Sequence, residues 1–490
     1  MQPVWVAVIL LSYFAVLLLI AWLTSRNADT ETFFTGNRQS PWYLVAFGMI
    51  GASLSGVTFI SVPGAVLNEG MAYMQVVLGY ILGYTVIGAI LMPLYYRLNL
   101  ISIYTYLKQR LGPVSYKTGS AFFIVSRTMG SAMRLYLATI VLQLFLFDSL
   151  HVPYYITAIT TILLIWIYTF KGGIKTIVYT DTFQTFFLVS SVLITVCIIA
   201  SRLDGSATEI WSRLGEKGYT RMFYFDDYKS ALFFPKQFFG GMFIAIAMTG
   251  LDQDLMQKNL TCRNIKDAQR NMFSFTLVMV VVTFLFLLLG GLLYAYAAEK
   301  GVKLPLNDAG KVATDKVFPT LAFKEFGTLA AVFFLLGITA SSYASADSAL
   351  AALTTGFCID FLDFENRSET YRRKGKWWVH IGFSLLFLLI ILLVKELKAD
   401  SLIKTILKVA AYTYGPLLGL FAFGIFTKKR VYDRLVPLVC IVSPLLCYLL
   451  DSVSADWLGG YVFGFEMLIL NGLITFAGLW AISHRAGKTE

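Results

Sequence analysis

The sequence predicts an all-α polytopic membrane protein of thirteen transmembrane helices, and three observations carry that expectation. Of 490 residues, 57% are hydrophobic and 14% charged, against about 25% charged in an ordinary soluble chain. The apolar residues gather into thirteen segments, each close to the ~20 residues a span requires. Lys and Arg concentrate in alternate connections between those segments, as cytoplasmic loops of membrane proteins do. Together these exclude a soluble enzyme, a disordered chain and a nucleic-acid binder. The net charge of +11 reads as retained basic loops.

The segments lie at about 4–23, 42–67, 72–96, 118–147, 154–170, 178–201, 231–250, 271–298, 325–355, 377–395, 402–426, 434–450 and 461–482. The first has no Lys or Arg before it and no small-x-small cleavage signal after it, so it reads as a retained helix rather than a signal peptide. The second, FGMIGASLSGVTFISVPG at 47–64, collects Gly, Ser, Thr and Pro where a plain span would carry Leu and Ile. Backbone freed at such a break can bind a cation, and half-helix ends can bind anionic groups. The seventh, FFGGMFIAIAMTGLDQ at 238–253, is also rich in small residues. Each interrupted segment opens a set of five, and the sets start on opposite sides of the membrane. This is the pattern of an inverted-repeat transporter with its site at the midplane; close helix packing by small residues is the alternative. The chain then divides into an extra helix and loop (1–41), a first repeat (42–202), a second repeat (231–426) and two further helices (434–490).

Charge fixes the expected orientation. Arg26/Arg38, Arg97/Lys108/Arg110/Lys117, Lys171/Lys175, Lys258/Arg263/Lys266/Arg270, Arg367/Arg372/Arg373/Lys374/Lys376, Lys428/Lys429/Arg430 and the tail residues Arg485 and Lys488 all fall on one side. The opposite short connections hold only Lys398. The N-terminus is expected outside and the C-terminus inside, in the cytoplasmic membrane.

Ionisable residues within spans are costly and usually functional. Arg127 and Arg134 are seven apart, on nearly one face of the fourth segment. Arg134 falls near mid-membrane, where it should contact an anionic solute or pair with an internal acid such as Asp347 or Asp181. Lys404 and Lys408 read as snorkelling residues. Five cysteines without CxxC spacing and three scattered histidines offer no metal or catalytic constellation.

Six runs taken together resemble the sodium/solute symporter family of sodium-coupled sugar, sialic acid and proline carriers. They are GASLSGVTFISVPG (51–64), SIYTYLKQRLG (102–112), KGGIKTIVYTDTFQ (171–184), GLDQDLMQKNL (250–260), ASADSAL (344–350) and GPLLGLFAFGIF (415–426). The resemblance implies a leucine-transporter-type 5+5 inverted repeat with broken first and sixth core helices. It implies a sodium site on the carbonyls of Gly51 and Leu54, with Ser341 and Ser345 from the eighth core helix. There the family's hydroxyl pair matches Ser341-Ser342 by eye, but spacing to Asp360 favours the Ser341 carbonyl and the Ser345 hydroxyl, with Ala344 where many relatives have Ser. It further implies a second candidate cation site at Asp181, Asp347 and Ser348; capping of the fifth core helix by Asp181 is the alternative. Ser53, Ser55 and Thr58 match solute-lining positions of sialic-acid-carrying relatives. Gln75 is a further solute candidate, and Phe59 could close over the solute.

The expected function is sodium-coupled symport of a small polar, anionic or hydroxylated solute. The alternative is a solute sensor of the same fold, although no segment in the sequence resembles a histidine-kinase tail. Sodium is the expected coupling ion, with no organic cofactor, no other metal and no nucleic-acid partner.

Overall fold

The computed structural model describes residues 3–26, 28–143, 147–170, 172–307, 309–396 and 402–484. Lys171, Lys398, Arg485, Lys488 and the side chain of Lys404 lie outside the described residues. The chain runs through α1 (Pro3–Ser25), the short α2 (Thr30–Thr35), α3 (Trp42–Ser53), α4 (Gly56–Glu69), α5 (Tyr73–Val86) and α6 (Met92–Arg97). It continues through α7 (Thr105–Arg110), α8 (Pro113–Leu142), α9 (Tyr154–Thr169), α10 (Gly173–Ala200) and α11 (Ala207–Glu216). Then come α12 (Phe234–Ala245), α13 (Gln253–Leu260), α14 (Ile265–Glu299), α15 (Thr314–Lys324) and α16 (Gly327–Asp360). The last four are α17 (Glu369–Glu396), α18 (Leu402–Phe426), α19 (Val436–Trp457) and α20 (Met467–Ala481). Two-residue strands, β1 (Arg430–Val431) and β2 (Ser483–His484), pair antiparallel beside the ends of α18 and α20.

Among the described residues, eight helices are long and apolar enough to span a membrane, or nine if the bent pair α3–α4 is one span. Four of the thirteen expected segments fall short. Helices α9 and α20 are 16 and 15 residues; neither α12 nor α13 reaches spanning length alone; and α8 is long enough but carries Arg127, Arg134 and many hydroxyls.

Burial sorts the bundle. In α16, 83% of the apolar window is buried inside the protein, against 33% in α1 and 22% in α19. Helix α16 is therefore the central post, and its Ala, Gly and Ser residues let neighbouring backbones approach. Phe59 is fully buried against Phe286, Phe318 and Phe334. It fills the core and does not cap a solute.

One end of the bundle is basic and holds the connections around residues 98–112, 261–264 and 361–368. The other carries the long connections 201–233 and 300–313. Helices α3 and α4 meet at 62° about Leu54 and Ser55. Gly56, just past the bend, lies so close to α16 that an added Cβ would sit 2.1 Å from Ser342 Oγ. A π-turn, Ile246–Gly250, ends α12, and α13 starts afresh after Leu251 and Asp252. Tyr95 donates to the Gly250 carbonyl at 2.8 Å and Tyr104 to the Leu251 carbonyl at 2.8 Å, so the second break is stitched within the protein, as buried backbone requires.

Candidate functional site

The α3–α4 break frees backbone acceptors. Leu54 N–H donates to the Ile50 carbonyl at 2.8 Å and closes α3. Among the described residues, no amide across the break donates to the carbonyls of Gly51, Ala52, Ser53 or Leu54. The backbone is held from α10: Gly51 N–H donates to Thr185 Oγ1 at 3.0 Å. Beside the break, Gly56 approaches Ser342 and Ser341 of α16, and Ser345, one turn further along that helix, is also buried. Ser341 Oγ donates to the Ile338 carbonyl at 3.1 Å. The hydroxyls of Ser342, Ser345 and Ser53 are buried without a hydrogen-bond partner. Unpaired carbonyls and hydroxyls in a dry bundle are costly, and they are the oxygen donors a hard cation prefers.

Beside the break lies a cavity of about 90 Å³, with Ser53, Ser55, Thr58, Tyr73, Arg127 and Arg134 in its wall. Tyr73, Ile244 and Met248 separate it from a vestibule of about 450 Å³ toward the long-connection end, because they line both. At the vestibule Lys408 pairs with Asp451 at 2.6 Å, and Tyr412 donates to the same carboxylate at 2.9 Å. Burial pushes the carboxyl of Asp315, on the loop helix α15, above its ordinary range.

The two arginines differ. Arg127 is ion-paired with Asp254 and lies 3.8 Å from Asp252. Asp254 also accepts from the Ser348 hydroxyl, and Asp252 from Tyr414. One charge network thus pins α8, α13, α16 and α18 on the basic side of the cavity. Arg134 has no acid within ion-pair distance among the described residues, and it lines the cavity. Neither Asp347 nor Asp181 is its partner.

Asp181 sits two turns inside α10, which begins at Gly173, so it does not cap that helix. Its Oδ2 lies 2.5 Å from the Lys258 ammonium, both side chains 1% exposed. Asp347 accepts from Tyr168 at 2.8 Å and from the Ser348 amide at 2.5 Å. The second candidate cation site is therefore not open here: Asp181 holds an ammonium, and the Ser348 hydroxyl is turned to Asp254.

Two expectations change. Gln75 is outside the cavity; its amide donates to the Leu232 carbonyl at 3.1 Å and accepts from Tyr224 N–H at 3.1 Å. Both polar ends are spent on the segment before α12. Lys258 is not a loop charge, because α13 continues past the break and buries it. It cannot count toward orientation. Sequence reasoning also missed Asp252 and Asp254. The signal was there: an arginine such as Arg127 within a span needs an acid.

The family model for the sodium:solute symporter family matches residues 33–432. The sodium/sialic acid symporter NanT of Aliivibrio fischeri is 22% identical over 94% of this chain and 90% of its own length. The sodium/sialic acid symporter SiaT of Proteus mirabilis is 23% identical over 95% and 94%. A solved structure of a Na+-coupled sialic acid symporter, substrate-bound and outward-open, shares the fold at a TM-score of 0.81, with 21% identity over 98% of this chain and 99% of that one. These relatives are transporters, and they lend the sensor alternative no support. With its match over residues 33–432, the chain belongs to the sodium:solute symporter family: a multi-pass membrane protein that couples sodium to a small-molecule solute and is not an enzyme.

Proposed function

We propose that this protein imports a small, hydroxylated carboxylate, of the class of a sugar acid, together with sodium. The observation that carries this reading is Arg134: a cavity-lining guanidinium without an acid partner among the described residues. An unpaired cation inside the membrane is costly, and an arriving carboxylate relieves that cost through two parallel hydrogen bonds. Ser53, Ser55 and Thr58 stand in the same wall and suit the solute's hydroxyls. The relatives named for sialic acid support the same class.

Sodium sits at the break, on the carbonyls of Gly51, Leu54 and Ser341 and the hydroxyl of Ser345. Its charge holds the two halves of the broken helix against α16. The thirteen helices form two inverted sets of five, with one before and two after. The basic end faces the cytoplasm, and the vestibule is the outer approach. Ligand sites for drug-sized molecules occupy about 300–1,000 Å³, so Tyr73 and Met248 swing aside to join cavity and vestibule as solute enters.

The test is uptake by proteoliposomes of radiolabelled sialic acid, a neutral hexose and a short monocarboxylate, with and without an inward sodium gradient. Sodium-driven uptake of the sugar acid above the other two is expected. Sodium-driven uptake of the hexose alone would move the solute to a neutral sugar.

A further inference from the structure

We propose that Arg127 is a second station for the solute's carboxylate: as the cavity opens toward the basic end, the carboxylate passes from Arg134 to Arg127 and takes the place of Asp254 there. This relay rests on the Arg134 reading above and adds to it the step that lets a loaded carrier, and not an empty one, open on that side.

Both arginines line the same cavity. Helix α8 starts at Pro113, next to the basic connection 98–112, so Arg127 lies nearer that end than Arg134. Tyr73, Ile244 and Met248 line the cavity and the vestibule alike. An anion entering past them meets Arg134 before Arg127. Arg127 is 3% exposed, yet its donors are far from spent. Among the described residues it donates one hydrogen bond, to Asp254. Its Nε–H is buried without a partner, and Asp252 at 3.8 Å is beyond hydrogen-bond reach. A guanidinium binds a carboxylate best through two parallel hydrogen bonds. A solute carboxylate that makes two is a better partner than Asp254, which makes one.

The acids are placed for such an exchange. Asp254 also accepts from the Ser348 hydroxyl and Asp252 from Tyr414, so each keeps a donor when Arg127 turns away. Leu255, the neighbour of Asp254 on α13, lines the cavity, so the partner to be displaced stands at the cavity's edge. Parting Arg127 from Asp254 with nothing in return strands buried charge, which is strongly disfavoured. The arriving carboxylate removes that obstacle by giving Arg127 a new counter-charge. A carrier holding sodium alone has no such anion and stays shut on the basic side. The anion to be carried is thus the one that unlocks its own way out.

Two variants of the full-length protein separate a relay from a simple lock. Asp254→Asn and Arg127→Gln/Asp254→Asn both lack the ion pair, but only the first keeps the guanidinium. Equilibrium binding of radiolabelled sialic acid and its sodium-driven uptake into proteoliposomes are measured on each. Both variants should bind sialic acid as wild type does, through Arg134. Asp254→Asn should retain uptake. Arg127→Gln/Asp254→Asn should lose it by roughly 10–150-fold, the effect of one charge-assisted hydrogen bond to the moving anion. Asp254→Ser and Arg127→Met/Asp254→Ser serve where the first two do not fold, with the same expectation. Equal uptake by the two members of a folded set would overturn the relay, because a lock between α8 and α13 is broken equally in both. Loss of sialic acid binding on removing Arg127 would also overturn it, since Arg127 would then share the first site. Wild type that binds no sialic acid would overturn the Arg134 reading itself, and the relay with it; that outcome is distinct from the other two.

Discussion

Arg127 and Arg134 stand two turns apart on α8 and line the same cavity, yet only Arg127 is paired with an acid. Arg127 is held toward Asp254 on α13, and Arg134 stays in the cavity wall with no acid partner among the described residues. Seven residues on a helix span about 10.5 Å. That separation leaves room for a solute beside Arg134 while Arg127 stays locked to α13.

The hydroxyl of Ser345 is expected to be a sodium ligand, while Ser341 contributes only its carbonyl. Ser345→Ala should weaken sodium activation by about 1–3 kcal/mol, the range for a lost buried polar partner, or roughly 5–150-fold in apparent affinity. Ser341→Ala should leave it unchanged. Sodium titrations of uptake check both, and equal losses in the two variants would contradict the assignment.

The Arg127–Asp254 pair is expected to hold the basic side of the cavity shut. Asp254→Asn leaves the buried Arg127 guanidinium with only the more distant Asp252 at 3.8 Å as counter-charge, a loss of up to about 3–5 kcal/mol. The double variant Arg127→Met/Asp254→Leu should recover most of that loss, since apolar replacement of a whole buried pair is often neutral. Thermal unfolding in detergent measures this. Identical midpoints for single and double variants would show that the pair contributes nothing as a pair.

Close contact at the break makes a steric prediction. Gly56→Ala would place a methyl 2.1 Å from Ser342 Oγ and should abolish uptake. Removing that oxygen with Ser342→Ala leaves the next atom, Ser342 Cβ, at 3.4 Å, so the double variant should regain transport. A dead double variant with normal expression would mean that glycine serves the backbone at 56 rather than the packing.

The sequence made the first break legible because Gly, Ser, Thr and Pro cannot be mistaken for a plain span over residues 47–64. It also placed Arg134, Ser53, Ser55 and Thr58 in one neighbourhood through the family resemblance, and the structure sets them in one cavity wall. What it hid was the far side of the second break. Asp252, Asp254 and Lys258 read as a charged loop, because the hydrophobic run stops at residue 250 and nothing local shows that α13 is wholly buried. Gln75 misled for a related reason: a polar side chain in a span invites a solute role, and its true partners, Leu232 and Tyr224, lie about 150 residues away. Pairings that distant leave no periodicity to read.

The central claim is that Arg134 holds a solute carboxylate in a sodium-coupled carrier. A guanidinium fork binds a carboxylate through two parallel hydrogen bonds, which a lysine cannot reproduce. Losing a charge-assisted hydrogen bond costs about 1.5–3 kcal/mol, or roughly 10–150-fold. The most direct measurement is the initial rate of sodium-driven sialic acid uptake into proteoliposomes, compared between wild type and Arg134→Lys, with sodium binding followed in the same preparations. The account predicts that the rate falls by that factor while sodium binding is retained. Undiminished sialic acid uptake by Arg134→Lys would contradict it.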